Sequence, residues 1–296
     1  MTCNTITIDS KKIRFNRHND LVIIDEKVFA DLVCAEDTNP SDELVDELCL
    51  KLKCKRLAVK SKISSDDFRT PNVRLIRGHD LWVTHKDNGI IYSLDASKCM
   101  FSFGNIHEKL RVSRLDCTDE TVVDLFAGIG YFSLVFAVHC NPRVVHSCEW
   151  NPNAVEALHK NLQLNRVSHK CVVHFGDNRE VCPIGVADRV YMGLIPTSLD
   201  SLRVACRAIH IKSSKRILHI HENVSHFGSK TKEDINKVWT DWALDLCLKV
   251  NQMMSSIHPN TKWMVEVLQI NKVKSYAPHI DHLVADIKCN LHDSYD

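Results

Sequence analysis

Apolar residues follow two alternating patterns from residue 121 onward. Short apolar runs predict buried strands, and stretches with apolar residues every three or four positions predict helices between them. The strand segments are 121–124, 144–149, 171–174, 189–192 and 216–220. A long amphipathic helix around 235–246 precedes two last strands, 263–270 and 282–287, whose connection is too short for a crossover helix. The pattern predicts a doubly wound α/β sheet in which one strand is reversed.

The first of these strands runs into a turn with two glycines and then into an apolar helix, over Thr121–Gly130. Such a junction presents backbone N–H groups and the positive end of a helix dipole, and Gly128 and Gly130 let a ligand approach the backbone. Dinucleotides and S-adenosylmethionine both use this turn. Ser133 stands where a dinucleotide fingerprint has its third glycine. Asp124 fits a cationic sulfonium and ammonium, although it can equally be a helix cap with no ligand.

Polar residues at the ends of the next two strands favour S-adenosylmethionine. Glu149 lies about 20 residues past the glycine turn, the spacing at which a carboxylate accepts both ribose hydroxyls. Asp177 and Asn178 follow the third strand and can bond the amino group and the edge of an adenine. Because open α/β sheets bind ligands at the carboxyl ends of their strands, the three residues are expected at one site.

The region before residue 121 has a different character. Residues 36–47 hold six acids and no base, and residues 51–62 hold six bases and no acid. Leu44, Leu48 and Leu52 have helical spacing, so the favoured interpretation is a solvated amphipathic helix with an ordinary charged surface. The alternative is a patch for RNA phosphates, formed by Lys51, Lys53, Lys55, Arg56, Lys60 and Lys62.

These patterns predict three segments. Residues 1–70 form an N-terminal helical and basic region, and residues 71–105 a small β unit and linker with a turn at 87–89. Residues 106–296 form the ligand-binding α/β domain. The 296-residue chain has a net charge of +1, so an RNA partner would need local patches rather than a global basic field.

Cysteine and histidine usage restricts the remaining classes. Thirteen cysteines occur without a CxxC pair, which indicates buried free thiols in a reducing compartment. No apolar run approaches ~18 residues, so we expect a cytoplasmic protein without a membrane span. His219 and His221 point the same way from one strand, but no third ligand has useful spacing, and no metal site is expected.

Several motifs together resemble one known family. They are residues 99–112 (CMFSFGNIHEKLRV), 124–132 (DLFAGIGYF), 148–152 (CEWNP), 174–178 (HFGDN), 193–196 (GLIP) and 273–282 (VKSYAPHIDH). The resemblance is to the tRNA wybutosine-synthesising protein two family and covers roughly residues 56–289. This family is similar in fold to the tRNA guanosine-37 N1-methyltransferases. The resemblance implies a class I S-adenosylmethionine-dependent transferase, with a Rossmann-like seven-stranded sheet and a small N-terminal α+β domain.

The resemblance also implies an activity. Family members move the 3-amino-3-carboxypropyl group of S-adenosylmethionine to carbon 7 of 4-demethylwyosine, at position 37 of phenylalanine tRNA, and release 5'-methylthioadenosine. The implied cofactor contacts are Ser102, Lys109, Glu149, Asp177 and Asn178. Lys109 and Ser102 suit the carboxylate end of the methionine tail. The expected partner is the anticodon loop of that tRNA, and a monomer is favoured.

Two alternatives stay open on the sequence. A tRNA guanosine-37 N1-methyltransferase usually has asparagine before the proline of the fourth strand loop, where this chain has Gly193. A non-catalytic tRNA-binding protein is the second alternative, although Glu149 and Asp177 are both present. Glu222 and Asn223 are candidate contacts to the acceptor base and Arg111 to the RNA, whereas no residue is assigned as proton acceptor.

Overall fold

A computed structural model describes residues 13–32, 41–62 and 70–291. The chain divides into two compact units, of which the first ends at Phe101 and the second begins at Ser102. The predicted segments 1–70 and 71–101 thus lie in the first unit, and the linker residues 102–105 lie in the second. Each unit has its own cluster of buried apolar side chains.

The first unit contains a four-stranded sheet and a separate hairpin. The sheet has the order β1-β2-β3-β4, with strands at Phe15–His18, Leu21–Asp25, Arg56–Lys60 and Val73–Arg77. Helices α1 (Glu26–Leu32) and α2 (Asp42–Leu52) accompany it. The hairpin joins β5 (Trp82–Asp87) to β6 (Ile90–Asp95), so the predicted turn is confirmed. Asn88 and Gly89 both have positive φ there, 49° and 79°, as a tight two-residue hairpin turn requires.

The charged stretches of the first unit behave as an ordinary surface. Helix α2 buries Leu48 and Leu52, and Lys51 forms an i,i+4 ion pair with Glu47. The guanidinium of Arg56 lies 2.7 Å from Asp20 and is also bonded to Asp80, with only 11% of the side chain exposed. Arg56 is therefore unavailable to a phosphate, and the alternative interpretation as a six-residue RNA patch is wrong at this position. Residues 36–40 of the acidic stretch lie outside the described residues.

The second unit is built on the predicted seven-stranded sheet. Its order is β12-β13-β11-β10-β7-β8-β9, and β13 alone runs antiparallel to its neighbours. The strands are β7 (Thr121–Asp124), β8 (Val144–Glu149), β9 (Cys171–Phe175), β10 (Arg189–Met192), β11 (Ile217–Ser225), β12 (Trp263–Ala277) and β13 (Ile280–Leu291). The helices are α3 (Ile106–Val112), α4 (Ser133–His139), α5 (Pro152–Leu164), α6 (Asn178–Val181), α7 (Leu202–Ala208) and α8 (Lys232–Ile257).

Local sequence signals begin these helices where the chain leaves the sheet. The Asn151 side chain accepts a hydrogen bond from the Asn153 N–H, and Pro152 occupies the first helical turn of α5. Thr231 and Asp234 form a reciprocal capping box at the start of α8. These caps satisfy N–H groups that would otherwise lack partners, and they fix the lengths of the loops at the carboxyl ends of the strands.

The last three strands are longer than predicted. Strand β11 continues to Ser225 although the apolar pattern ends at Ile220, because β13 pairs with it residue by residue from Lys288 to Ile280. Strand β10 pairs with β11 only as far as Met192 opposite Ile220. The ends of β11, β12 and β13 therefore project beyond the carboxyl edge of the parallel strands.

The eleven cysteines of the described part of the chain are all free thiols. Within the same part, no helix has the length and apolar content that crossing a membrane requires.

Candidate functional site

Glu149 is held across the glycine turn by two backbone N–H groups. Its Oε2 accepts from Gly128 at 2.7 Å, and its Oε1 accepts from Asn151 at 2.8 Å. Burial raises the pKa of the Glu149 carboxyl above its usual value, while these backbone donors act in the opposite direction. Each carboxylate oxygen keeps a second acceptor site, so the fixed carboxylate can take two hydroxyl groups of a diol.

The two glycines of the turn have different roles. Gly128 has φ +57°, and a Cβ there would lie 3.1 Å from the Tyr131 ring. Gly130 has φ +98°, but a Cβ there would meet Leu158 at 2.9 Å and Leu134 at 3.0 Å. The backbone N–H of Gly130 donates to the Ala127 carbonyl. Gly130 thus serves helix packing, and the prediction that its open face admits a ligand is wrong.

Asp124 is a buried structural carboxylate. Its Oδ2 accepts from the Ser133 hydroxyl at 2.7 Å, and its Oδ1 accepts from the Phe126 N–H at 3.2 Å. Burial raises the pKa of Asp124 to about 6, against the lowering effect of these hydrogen bonds. The structural interpretation as a helix cap is therefore favoured, because the side chain is bonded to Ser133 at the start of α4 and is not open to a ligand.

Tyr131 connects the two predicted contacts to the methionine tail. Its hydroxyl accepts from the Ser102 N–H at 3.3 Å, and the Lys109 Nζ lies 5.5 Å from the centre of its ring. Lys109 is buried, with 1% of its surface exposed. The Ser102 hydroxyl makes no capping hydrogen bond to the helical turn that follows it. Since Tyr131 also lies against Gly128, the structure brings Ser102, Lys109 and Glu149 to one end of the turn.

Asp177 and Asn178 lie at the next strand end, as predicted. The Gly176 N–H donates to the Glu149 carbonyl at 3.0 Å, which joins this loop to the previous one. The half-exposed Asp177 accepts from the backbone and guanidinium of Arg179, and that side-chain hydrogen bond lowers the pKa of Asp177.

Asn178 is buried, and its side-chain amide is already in use. Its Nδ2 donates to the Leu125 carbonyl and its Oδ1 accepts from the Ser201 hydroxyl, both at 3.1 Å. Only the backbone of Asn178 remains for a base edge.

A buried ionic network lies beside this site and was not foreseen from the sequence. Arg111 bonds both oxygens of Glu108, at 2.8 and 2.7 Å, and reaches Asp286 at 2.6 Å. The other oxygen of Asp286 is 2.6 Å from the Nδ1 of His219. Arg111 is therefore committed to buried carboxylates, and the prediction that it contacts RNA is wrong. Its spacing three residues after Glu108 on a helix was the available signal.

The residues expected to face the acceptor lie around the loop after β10. The Asn223 N–H donates to the Pro196 carbonyl at 2.7 Å, and the Asn223 Oδ1 is buried without a partner. The Glu222 carboxylate accepts from the Trp242 indole N–H at 2.7 Å. A Cβ at Gly193 would lie 3.0 Å from the Tyr191 ring, closer than side-chain carbons ordinarily approach. A side chain here would require the Tyr191 ring to give way by a few tenths of an ångström.

His221 and His282 form a buried pair behind this loop, with 2.9 Å between His221 Nδ1 and His282 Nε2. Burial lowers the pKa of both rings, that of His282 to about 4. No group of three or more His, Cys, Asp or Glu side chains could hold a metal ion in the segments 13–32, 41–62 and 70–291.

The residues present fit S-adenosylmethionine. The fixed Glu149 carboxylate matches the ribose diol, and the Asp177 carboxylate at the neighbouring strand end matches the adenine. The Lys109 amine and the Ser102 hydroxyl match the amino acid tail. A dinucleotide would place a pyrophosphate at the turn, where Gly128, Gly130 and Tyr131 already donate to Glu149 and Ala127.

The sequence profile of the TRM5/TYW2 methyltransferase domain matches residues 83–243. A tRNA wybutosine-synthesizing protein 2 homolog from Danio rerio is 43% identical, over 93% of this chain and 71% of the relative. The chain belongs to the tRNA wybutosine-synthesizing protein 2 family. The sequence-based assignment to this family is thereby confirmed.

Solved structures of family members confirm the predicted fold class. The M. jannaschii TYW2 structure in complex with AdoMet has a TM-score of 0.67 and 25% identity, over 94% of this chain and all of that one. The P. horikoshii TYW2 structure in complex with MeSAdo has the same TM-score and 26% identity, over 93% and 90% of the two chains. The family thus has the fold of S-adenosylmethionine-dependent transferases, which the glycine turn and the strand-end acids predicted.

Proposed function

We propose that this protein transfers the 3-amino-3-carboxypropyl group of S-adenosylmethionine to carbon 7 of 4-demethylwyosine, at position 37 of phenylalanine tRNA. The observation that carries the proposal is the 43% identity to a tRNA wybutosine-synthesizing protein 2 homolog along 93% of the chain. The complex of a relative with MeSAdo fits a reaction that releases 5'-methylthioadenosine.

Five residues hold the donor in this proposal. Glu149 binds the ribose diol, and Asp177 and the backbone of Asn178 bind adenine. Lys109 holds the carboxylate of the amino acid tail, and the Ser102 hydroxyl bonds the same end. When bound, S-adenosylmethionine supplies the aminocarboxypropyl group from its sulfonium.

The protein's part is mainly positioning. Several kcal/mol of barrier lowering come from holding reacting atoms at about 3–3.5 Å in line. A methyltransferase must present the methyl carbon, whereas this protein must present the γ-carbon of the tail. Lys109 and Ser102 bind the amino acid tail and therefore determine which carbon of S-adenosylmethionine faces the acceptor.

Gly193 favours a carbon acceptor over a guanine nitrogen. A nitrogen nucleophile carries an N–H that a side-chain oxygen can accept and orient. Position 193 offers no such oxygen, and the Tyr191 ring occupies the adjacent space. The N1-methyltransferase alternative needs such an oxygen, and this chain lacks it at position 193. Transfer to carbon is therefore the function that the site supports better.

The RNA partner in the proposal is the anticodon loop of phenylalanine tRNA, bound by a monomer. Free buried thiols such as Cys148 and Cys206 fit a reducing compartment, and we place the reaction in the cytoplasm.

Parallel incubations with differently labelled donor test the reaction. Phenylalanine tRNA carrying 4-demethylwyosine is mixed with carboxyl-labelled or methyl-labelled S-adenosylmethionine. We expect the carboxyl label in RNA and the methyl label in released 5'-methylthioadenosine. Methyl label in phenylalanine tRNA with an unmodified guanosine 37, incubated alongside, would establish the N1-methyltransferase instead.

A matched inactive variant separates enzymatic from background transfer. Glu149→Gln keeps the size of the side chain but replaces one acceptor oxygen with an amide donor, so it should lose hydrogen bonds to the ribose diol and weaken donor binding, and circular dichroism checks that the fold is retained. Transfer at an unchanged rate by this variant would contradict the proposed donor site.

A further inference from the structure

A cleft of about 570 Å³ opens beside β12, the edge strand of the sheet. It lies between the first turns of α8 and the ends of β12 and β13. Its lining combines aromatic rings, cations and one acid, chiefly Lys232, Trp239, Lys272, Tyr276, His279 and Asp281. The donor-binding residues contribute nothing to this lining.

Two aromatic rings around the cleft are unusually open to solvent. Tyr276 is 53% exposed, and Phe227, at the rim, is 84% exposed. The Phe227 ring packs edge-on against His279 at 5.6 Å, and His279 lies 5.7 Å from His226. Rings this exposed add little to a core, but each presents a face on which a planar group can stack.

The charges of the cleft are arranged around Asp281. Its Oδ1 accepts from Ser275 at 3.1 Å and lies 2.7 Å from the Lys272 Nζ, and its Oδ2 is 3.4 Å from His226. The same Lys272 Nζ is 5.8 Å from the centre of the Trp239 ring. Asp281 therefore fixes Lys272 in place, and the exposed Lys232 adds a second cation at the rim.

The cleft lies on the acceptor side of the molecule. Asn223 is bonded to Pro196 of the loop after β10, and the cleft residue His226 directly follows the end of β11, three residues after Asn223 in the chain. Three residues of chain span at most about 10 Å. If the reacting base of an RNA strand lies at the loop after β10, a neighbouring nucleotide of that strand can reach the cleft.

From this arrangement we infer that the cleft binds an unpaired nucleotide of the RNA substrate next to the one that reacts. The base stacks on one of the exposed rings, Tyr276 or Phe227, and the phosphate is bound by the exposed Lys232. Single-stranded RNA is recognised in this way, by aromatic platforms combined with cations. The inference rests on the proposed function, since it takes the substrate to be an RNA loop.

Substitution of Tyr276 tests the stacking. Tyr276→Ala should weaken binding of phenylalanine tRNA about fivefold or more in a fluorescence anisotropy titration, because a base loses its platform. Tyr276→Phe keeps the ring and should bind within about twofold of the unchanged protein. Met264→Ala is the matched control, since Met264 is 51% exposed near the other end of the same strand.

The two lysines at opposite ends of α8 test the phosphate contact. Lys232→Ala should reduce the slope of log affinity against log salt by about 0.7, the value for one phosphate of a single strand. Lys249→Ala should leave the slope unchanged, because Lys249 lies on a distal turn of the helix and pairs with Asp245.

Donor binding, measured by calorimetry, should be unaltered in all these variants, which also verifies that they are folded. If Tyr276→Ala and Phe227→Ala bind tRNA as tightly as Met264→Ala does, the nucleotide cleft is refuted while the transfer reaction stands. If the unchanged protein binds tRNA through Tyr276 but transfers no label, the proposed function fails and the cleft stands.

Discussion

At the scale of single residues, Tyr131 connects the two residues that are proposed to bind the donor tail. It lies against both Ser102 and Lys109, and a side chain at position 128 would press on its ring. A lysine with 1% exposure has given up its hydration, which costs free energy unless the charge has an anion or a π face as partner, and the Tyr131 ring is one such face. In the proposed function the tail carboxylate of the donor adds an anion.

Replacement of Lys109 with methionine, which has similar length but no charge, should separate two halves of the donor. Binding of S-adenosylmethionine should weaken about tenfold or more, since a hydrogen bond between charged groups contributes about 1.5–3 kcal/mol. Binding of 5'-methylthioadenosine, which lacks the tail, should be unchanged. Both are measured by calorimetry, with Lys237→Met on the exposed surface as control. Equal losses for the two ligands would mean that Lys109 is only structural.

The sequence identified site residues where spacing alone determines position. Glu149 follows a predicted strand at a fixed distance from the glycine turn, so its place at the turn could be predicted. The sequence left two roles open for Asp124 and misassigned Arg111, because the role of each depends on burial. Ser133 turns back onto Asp124, and Asp286, which is 175 residues away in the chain, reaches Arg111. Local sequence carries no signal for a contact of that range.

At the scale of elements, β11 and β13 carry polar side chains that are buried. His219 and His221 are at most 1% exposed, and His282 faces His221 from the adjacent strand. Apolar periodicity predicted β11 only to Ile220 because the residues that follow are polar. Pairing with β13 and the buried histidine contact extend it. Strands β8 and β10 were predicted with the bounds that the structure has.

His282 should make the fold sensitive to acid. Its pKa is about 4 in the folded protein and 6.5 when unfolded, mainly because burial disfavours the charged ring, and Lys274 adds to this. Its stabilising contribution is full above pH 6.5 and is lost as the pH falls toward 4, because the unfolded chain takes up the proton first. At pH 5 this loss is about 2 kcal/mol.

Urea unfolding at pH 7 and pH 5 measures that loss. In His282→Gln the decrease in the free energy of unfolding between the two pH values should be smaller by about 2 kcal/mol than in the unchanged protein. His210→Gln, at an exposed position, should leave the decrease as it is. An identical decrease in all three proteins would show that His282 is not held neutral by the fold.

At the scale of the whole molecule, the two units have separate cores. The cluster around Val22, Leu48 and Leu57 stabilises the first unit, and the cluster around Val190, Leu218 and Ile287 stabilises the second. All five proposed donor contacts belong to the unit that begins at Ser102. A domain with its own core is expected to fold independently.

The segment 102–296 expressed alone should therefore fold and bind S-adenosylmethionine within about threefold of the full chain, since no proposed donor contact is removed. Circular dichroism and calorimetry measure the two properties. A segment that folds but has lost donor binding would place a required contact in residues 1–101.

The crowding at Gly193 has a consequence for the buried ionic network. An asparagine there would push against Tyr191, whose hydroxyl is bonded 3.1 Å from Glu108 within that network. To admit the new side chain, the Tyr191 ring would have to give way by a few tenths of an ångström, and its hydroxyl would carry that movement to Glu108. A substitution in the loop after β10 would thus be transmitted to carboxylates in the interior.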